Sequence, residues 1–288
     1  MDDLYVLSFE LDDDISFQTH LSFAFKKSFK SKNLKQFETS LKDKKSQGRI
    51  IRDTGDNVNH KISSKCIFNH KISDQIRSFI IRGRLQLLEC NILLNLYYPE
   101  IYSKKCSLCN HPSDTASHIL NGCTKFSLMY SERHNRIVDL IYDKIVHSNR
   151  DNEVLKDKVL KPSLFDQSTQ LASFSHPHTR PDIVSINREM KTVTITEIAV
   201  PFDGYIKISY EKKFEKYFPL SLEINSLGYT TDIVVLIVGS LGNVHYRFNS
   251  GLLKNNINRT EARFLTEYCS LSAAIGSYRV WIQRCRQL

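Results

Sequence analysis

Four residues near the middle of the chain, Cys106, Cys109, His118 and Cys123, form a Cys-x2-Cys-x8-His-x4-Cys array. Zinc takes four soft or borderline ligands in a tetrahedron, and two cysteines separated by two residues are the usual way for a turn to offer two thiolates to one ion. No other feature constrains the fold as much, because four side chains spread over residues 106–123 must converge on one point. His118 and Cys123 lie five apart, which on a straight helix would rotate them away from each other. The chain must therefore bend between them, and Asn121-Gly122 supplies residues that accept left-handed backbone angles at a helix end. His111 is too close to Cys109 to reach the same ion. Four protein ligands leave no open position for catalysis, so the array reads as a structural Zn2+ site that also helps to contact nucleic acid.

The composition fits a polyanionic partner. The chain has 288 residues, enough for one large or two ordinary domains, with two preferred, and its formal charge is +9. Nucleic acid is the first expectation and an anionic membrane surface the second. Residues 20–50 carry nine basic side chains (Lys26, Lys27, Lys30, Lys32, Lys35, Lys42, Lys44, Lys45 and Arg49) against Glu38 and Asp43. A solvated helix face would account for that run equally well. Seven cysteines, three of them inside the array, argue against a disulfide framework and for a reducing compartment. The acidic start Met1-Asp2-Asp3 differs from a secretory signal, and no apolar run reaches the roughly 18 residues a membrane span needs. Nucleus or cytosol is the expected location, with no membrane partner.

Residues 1–72 read as a basic region of short helices and loops. Residues 73–147 form the helical region around the array. A helix is predicted from Ser73 to about Leu88 through Ile76, Ile80, Gly83 and Leu87, with Arg77, Arg82 and Arg84 on the rest of the cylinder. A second runs from Ser131 to Val146 through Ile137, Ile141 and Ile145. Residues 148–179 read as a linker containing a short helix. From residue 180 to 288 the character changes, with β-branched runs at Asp182–Ile186, Val193–Val200 and Asp232–Val238, a helix over Tyr210–Phe218, and a last helix opened by Asn258 and Glu261 as a capping box and running toward Trp281. The four residues Asn187–Met190 suit a hairpin, so the first two strands should be antiparallel neighbours.

Phosphodiester hydrolysis needs a metal to activate water and stabilise charge on phosphorus, so paired carboxylates on neighbouring strands are the expected machinery. Asp182 opens one strand after Arg180-Pro181, and Glu197 follows within the next, with fourteen residues between the two. In order along the chain, the Cys-Cys-His-Cys array, His118-Ile119-Leu120, Arg133-His134-Asn135 and Arg180-Pro181-Asp182 resemble the C-terminal part of site-specific non-LTR retrotransposon polyproteins over roughly residues 45–288. The resemblance implies an α+β chain, a helical N-terminal region with a zinc knuckle followed by an α/β core like that of restriction endonucleases, the PD-(D/E)xK class. In that class a lysine stands two residues after the second acid; here the place is held by Ala199. Alternation along a strand puts Ala199 on the face of Glu197. Lysines on the following helix, Lys213 and Lys216 in a Lys-x-x-Lys-Tyr arrangement, match the retrotransposon version instead. An exposed basic helix face is the competing account of these two lysines.

What the resemblance implies is thus a Mg2+- or Mn2+-dependent DNA endonuclease with Asp182 and Glu197 as magnesium ligands, Lys213 and Lys216 as the other catalytic groups, and Arg180, Arg77, Arg82, Arg84, Arg133 and Arg136 along the nucleic acid. Its partners would be target DNA, element RNA and an upstream polymerase domain, since no Tyr/Phe-x-Asp-Asp turn between strands occurs in this chain. The alternative is a catalytically inactive nucleic-acid-binding remnant.

Overall fold

The structure, a computed structural model, describes residues 36, 39–169 and 171–287. Residues 1–43 form one unit, of which only 36 and 39–43 are described, and Lys44–Leu288 form a second, compact one. Most of the basic run over residues 20–50 therefore lies outside the described residues.

The second unit is α+β, with a four-stranded mixed sheet. Its strands are β1 (Glu153–Lys156), β2 (Ile183–Asn187), β3 (Thr192–Ala199) and β4 (Thr230–Ile237), in the order β1-β2-β3-β4. β1 and β3 both run antiparallel to β2, while β4 is parallel to β3. The β2–β3 hairpin is the expected one. Asn187 accepts from the Met190 N–H at 2.7 Å, and Lys191 takes a φ of +52° to close the turn. β1 corrects the sequence reading, because it lies within the expected linker and pairs with Ile183–Ile186 of β2.

Helices cover both faces. The helices are α1 (Arg49–Thr54), α2 (His60–Phe68), α3 (Asp74–Arg84), α4 (Asn91–Tyr97), α5 (Ala116–Asn121), α6 (Ser127–Ser148), α7 (Ile206–Ser226), α8 (Phe248–Lys254) and α9 (Arg259–Gln287). On one face Ile137, Ile141 and Ile145 of α6 pack with Ile183, Ile198, Val234 and Leu236, joined by Phe248 and Leu252 of α8 and Cys269 of α9. On the other, Tyr217, Leu220 and Ile224 of α7 bury against Val184, Ile186, Val193 and Ile195. Strand alternation divides these residues between two cores, the arrangement expected of a sheet covered on both sides.

α7 is more than twice as long as the predicted Tyr210–Phe218 segment and continues through Pro219. A proline inside a helix costs about 3 kcal/mol. Burying Leu220 and Ile224 on the far side of it offsets that cost, since each large apolar side chain removed from water contributes about 2 kcal/mol. α9 begins as expected, with Asn258 accepting from the Glu261 N–H at 3.0 Å.

A third cluster joins the Cys/His region to α3 and α9 through Phe79, Ile80, Ile119, Leu120, Phe126, Leu271 and Val280. A buried ion pair, Arg284 to Asp114 at 2.7 Å, fastens the end of α9 beneath it. Asp203, fully buried just after β3, accepts from the N–H groups of Leu241 and Asn243 in the loop after β4 at 2.6 and 3.0 Å. Gly239 is required there, because a Cβ would come within 2.5 Å of the carboxyl carbon. Among the described residues no helix is long and apolar enough to cross a membrane.

Candidate metal cluster and adjoining carboxylate site

Cys106, Cys109, His118 and Cys123 converge, with their ligand atoms all within 4.8 Å of one another, a set that can hold a metal such as zinc. The first two are brought together by a turn in which the Asn110 N–H donates to the Cys106 carbonyl at 2.9 Å and Asn110 takes a φ of +59°. Thr115 caps α5 by accepting from the His118 N–H at 3.1 Å, and His118 Nε2 lies 3.3 Å from Cys109 Sγ. The expected bend follows, but by another device. Gly122 has a φ of −131°, and the N–H groups of both Gly122 and Cys123 donate to the His118 carbonyl at 2.7 and 2.8 Å, which folds the chain back without a left-handed residue. His111 is no ligand; its ring stacks on His118 at 4.3 Å. Burial pushes the Cys123 thiol up to about 12 and raises Cys106 too, so a cation would be needed to hold these groups as thiolates.

The carboxylates lie beyond the far end of α5. Ile183 pairs with Thr196, so one step further along the ladder Asp182 and Glu197 stand opposite each other on the side covered by α7. Glu197 is 2% exposed. Its Oε2 accepts from the Asp182 N–H at 3.3 Å, and Asp182 Oδ2 accepts from the Ile198 N–H at 2.7 Å. Lys213 donates to Glu197 Oε1, and the Lys216 ammonium stands 3.7 Å from the same oxygen. Lys216 also donates to the Tyr217 hydroxyl at 2.9 Å, which in turn donates to the Arg180 carbonyl at 3.0 Å and so fixes the turn leading into Asp182. Ala199 faces a pocket of about 320 Å³ that Lys213 also lines.

A residue not expected at this site completes it. His134, on α6, places Nε2 3.6 Å from Asp182 Oδ2 and 3.2 Å from the Ile198 carbonyl oxygen. Burial alone would raise the Asp182 carboxyl, but His134 beside it, the Ile198 N–H and Lys213 hold it below the usual carboxylate range. Burial alone would lower His134, yet the hydrogen bond and charge of Asp182 lift it above the usual imidazole range. The only signal in the sequence was its place in Arg133-His134-Asn135.

The arginines divide. Arg133 is 5% exposed and donates to the Leu120 carbonyl at 3.0 Å and to Ser277 Oγ at 2.6 Å, so it is an internal clamp and presents nothing to a phosphate. Arg84 donates to the carbonyls of Leu241 and Ser63, and Arg77 to that of Ile67 while pairing with Asp74. Their guanidinium groups serve the fold. Arg82 and Arg180 are exposed in ion pairs with Glu89 and Asp157, and Arg136 is exposed along α6. No protein-family model matches this chain, and no curated protein matches it.

Proposed function

We propose that the chain is a nucleic-acid-cleaving module, a metal-dependent DNA endonuclease stabilised by a structural zinc site, of the kind carried by non-LTR retrotransposon polyproteins. The observation that carries this reading is the delivery of Lys213 from α7 to Glu197, opposite Asp182, while Ala199 occupies the strand position where PD-(D/E)xK nucleases keep their lysine. An amino group brought from a helix to the second acid supplies the charge that the strand lacks.

The donor set fits a hard divalent cation, since Asp182, Glu197 and the Ile198 carbonyl offer oxygen only. Mg2+ or Mn2+ bound there would polarise the scissile phosphate and lower the pKa of a water. Lys213 would then orient the nucleophile and stabilise charge on the phosphoryl oxygens, with Lys216 held nearby through Tyr217. The exposed guanidinium groups of Arg82, Arg136 and Arg180 are available for the phosphate backbone, and DNA as substrate would place the protein in the nucleus.

One observation favours the non-catalytic, nucleic-acid-binding alternative: Glu197 is already paired with two ammonium groups, and Asp182 with His134. Incubation of the zinc-loaded protein with supercoiled plasmid and Mg2+ or Mn2+ separates the two. Nicking by the wild type that is lost in Asp182→Asn supports the nuclease. Salt-dependent DNA binding without nicking in either metal leaves only the binding module.

A further inference from the structure

Arg180, Arg188 and Lys254 are exposed but neutralised by Asp157, Glu153 and Asp232. Arg247 is exposed too, yet among the described residues no carboxylate pairs with it, and two tyrosines hold it instead. Its Nε donates to the Tyr246 hydroxyl at 2.7 Å and a terminal nitrogen donates to the Tyr210 hydroxyl at 3.3 Å, with the guanidinium carbon 5.3 and 5.7 Å from the centres of those two rings. A guanidinium carries five N–H donors, so three are left without a protein acceptor. We propose that Tyr210, Tyr246 and Arg247 form a ledge for an unpaired nucleotide, the guanidinium taking its phosphate and Tyr246 its base. From the nuclease reading the inference takes only that the ligand is a nucleic acid, and it adds that a single-stranded segment lies beside the carboxylates.

The ledge is rigid before any ligand arrives. The His245 N–H donates to the Ile237 carbonyl and the Tyr246 N–H to the Asn57 carbonyl, both at 3.0 Å, so the backbone leading into Arg247 is pinned from two sides. Behind it the buried His245 ring stacks on Tyr210 at 4.3 Å, and Tyr210 packs with Val235, the β4 partner of Glu197. Its place along α7 points the same way. Lys213 stands one turn after Tyr210 and bonds Glu197, while Lys207 stands one turn before it, exposed and without a carboxylate among the described residues. A cationic track thus runs along α7 to the carboxylates. Tyr246 keeps 46% of its surface in water. A paired base has its faces covered by its neighbours in the duplex, whereas an unpaired one can stack on a tyrosine, and that contact tolerates any sequence. The competing role for Arg247 is a clasp that only holds the two tyrosines together, and it predicts a loss of stability with no change in binding.

The test needs no cleavage. The full chain with its zinc site loaded is titrated, without Mg2+ or Mn2+, into a short fluorescein-labelled DNA strand, alone and as a duplex. Tyr246→Ala and Arg247→Gln should each weaken binding of the single strand about fivefold or more, with a smaller loss on the duplex. Arg247→Gln should also lower the salt dependence of single-strand binding by about one phosphate contact. Tyr246→Phe, which keeps the ring, should retain most of the affinity. Unchanged single-strand affinity in both variants, with only their urea stability reduced, overturns the ledge in favour of the clasp. An equal loss on strand and duplex in Arg247→Gln, with Tyr246→Ala silent, overturns it in favour of a phosphate contact that reads no base. A wild type that binds no single strand removes the ledge whatever plasmid nicking shows, whereas a wild type that never nicks but binds single strands through Tyr246 and Arg247 keeps the ledge and removes the nuclease reading.

Discussion

The side-chain amide of Asn121, the last residue of α5, donates to the backbone carbonyl of Val200, the residue after β3, at 2.7 Å. His118 sits one turn earlier on the same short helix, and Glu197 three residues earlier on the same strand segment. The Cys/His cluster and the carboxylates are therefore joined through one hydrogen bond and a few residues of rigid backbone. A metal that holds α5 in place should also order the end of β3, because a structural zinc site contributes folding free energy directly. We expect one zinc per chain by metal analysis. Chelation, or Cys109→Ser, should raise amide exchange both at residues 106–123 and at residues 197–202. A metal-free protein with wild-type protection at residues 197–202 would show that the two sites are independent.

Arg133 strengthens the same junction. Among the described residues no carboxylate is in ion-pair contact with its guanidinium, burial holds its pKa down to about 10, and Gly276 lacks a side chain where a Cβ would come within 2.8 Å of Arg133 Cγ. Arg133→Ala would leave a cavity and strip the Leu120 carbonyl of this buried donor, while Ser277 Oγ keeps its own bond to the Ala273 carbonyl, a loss of about 3 kcal/mol. Arg133→Lys should recover little of it, since one ammonium cannot match the spread of a guanidinium fork. Urea denaturation measures both. A variant that keeps wild-type stability but loses DNA affinity would instead make Arg133 a phosphate contact, as the sequence alone suggested.

What the sequence made legible was what periodicity and ligand chemistry control. The three β-branched runs, the β2–β3 hairpin, the capped start of α9 and the convergence of the four Cys/His residues all follow from local rules. β1 was invisible because Glu153-Val154-Leu155-Lys156 is short and mixed, and becomes a strand only when the β2 edge offers it partners. The far half of α7 was hidden by Pro219, a local signal that burial of Leu220 and Ile224 overrides. Arg133 was expected along the nucleic acid, and His134 stood out only as part of Arg133-His134-Asn135. Neighbours on α6 project in different directions, and the elements they meet, α5 and α9 for one and the β2 and β3 ends for the other, are far away in sequence.

His245 should make stability depend on acid. It is 2% exposed, its ring stacks on Tyr210 at 4.3 Å, and its Nδ1 accepts from the Arg247 N–H at 3.3 Å. Burial, with Arg247 nearby, lowers its pKa to about 4. The unfolded chain, with an imidazole near pH 6.5, binds more protons than the folded one between those values. Stability from this group is thus fully present above about pH 6.5 and declines as the pH falls toward 4, by an amount of order 2 kcal/mol. Unfolding free energies from pH 7 to pH 4 should slope less in His245→Gln than in the wild type. Parallel curves would mean that His245 takes up its proton in the folded protein.

The two lysines of α7 give the closest test of the cleavage chemistry. Lys213 bonds Glu197 directly, whereas Lys216 stands 3.7 Å away and is partly held by Tyr217, so their roles should differ in size. Losing one preorganised electrostatic group typically costs about a hundredfold or more in rate. Lys213→Ala should lose at least that much nicking activity with DNA affinity almost unchanged, matching Asp182→Ala, and Lys216→Ala should lose less. Ala199 shares its pocket with Lys213, so Ala199→Lys in the Lys213→Ala background should restore part of the rate by returning an ammonium from the strand side. Single-turnover nicking under saturating protein separates this from binding. Undiminished metal-dependent cleavage in the Lys213→Ala, Lys216→Ala double variant would mean that the ammonium groups only balance the charge of Glu197 and take no part in the reaction.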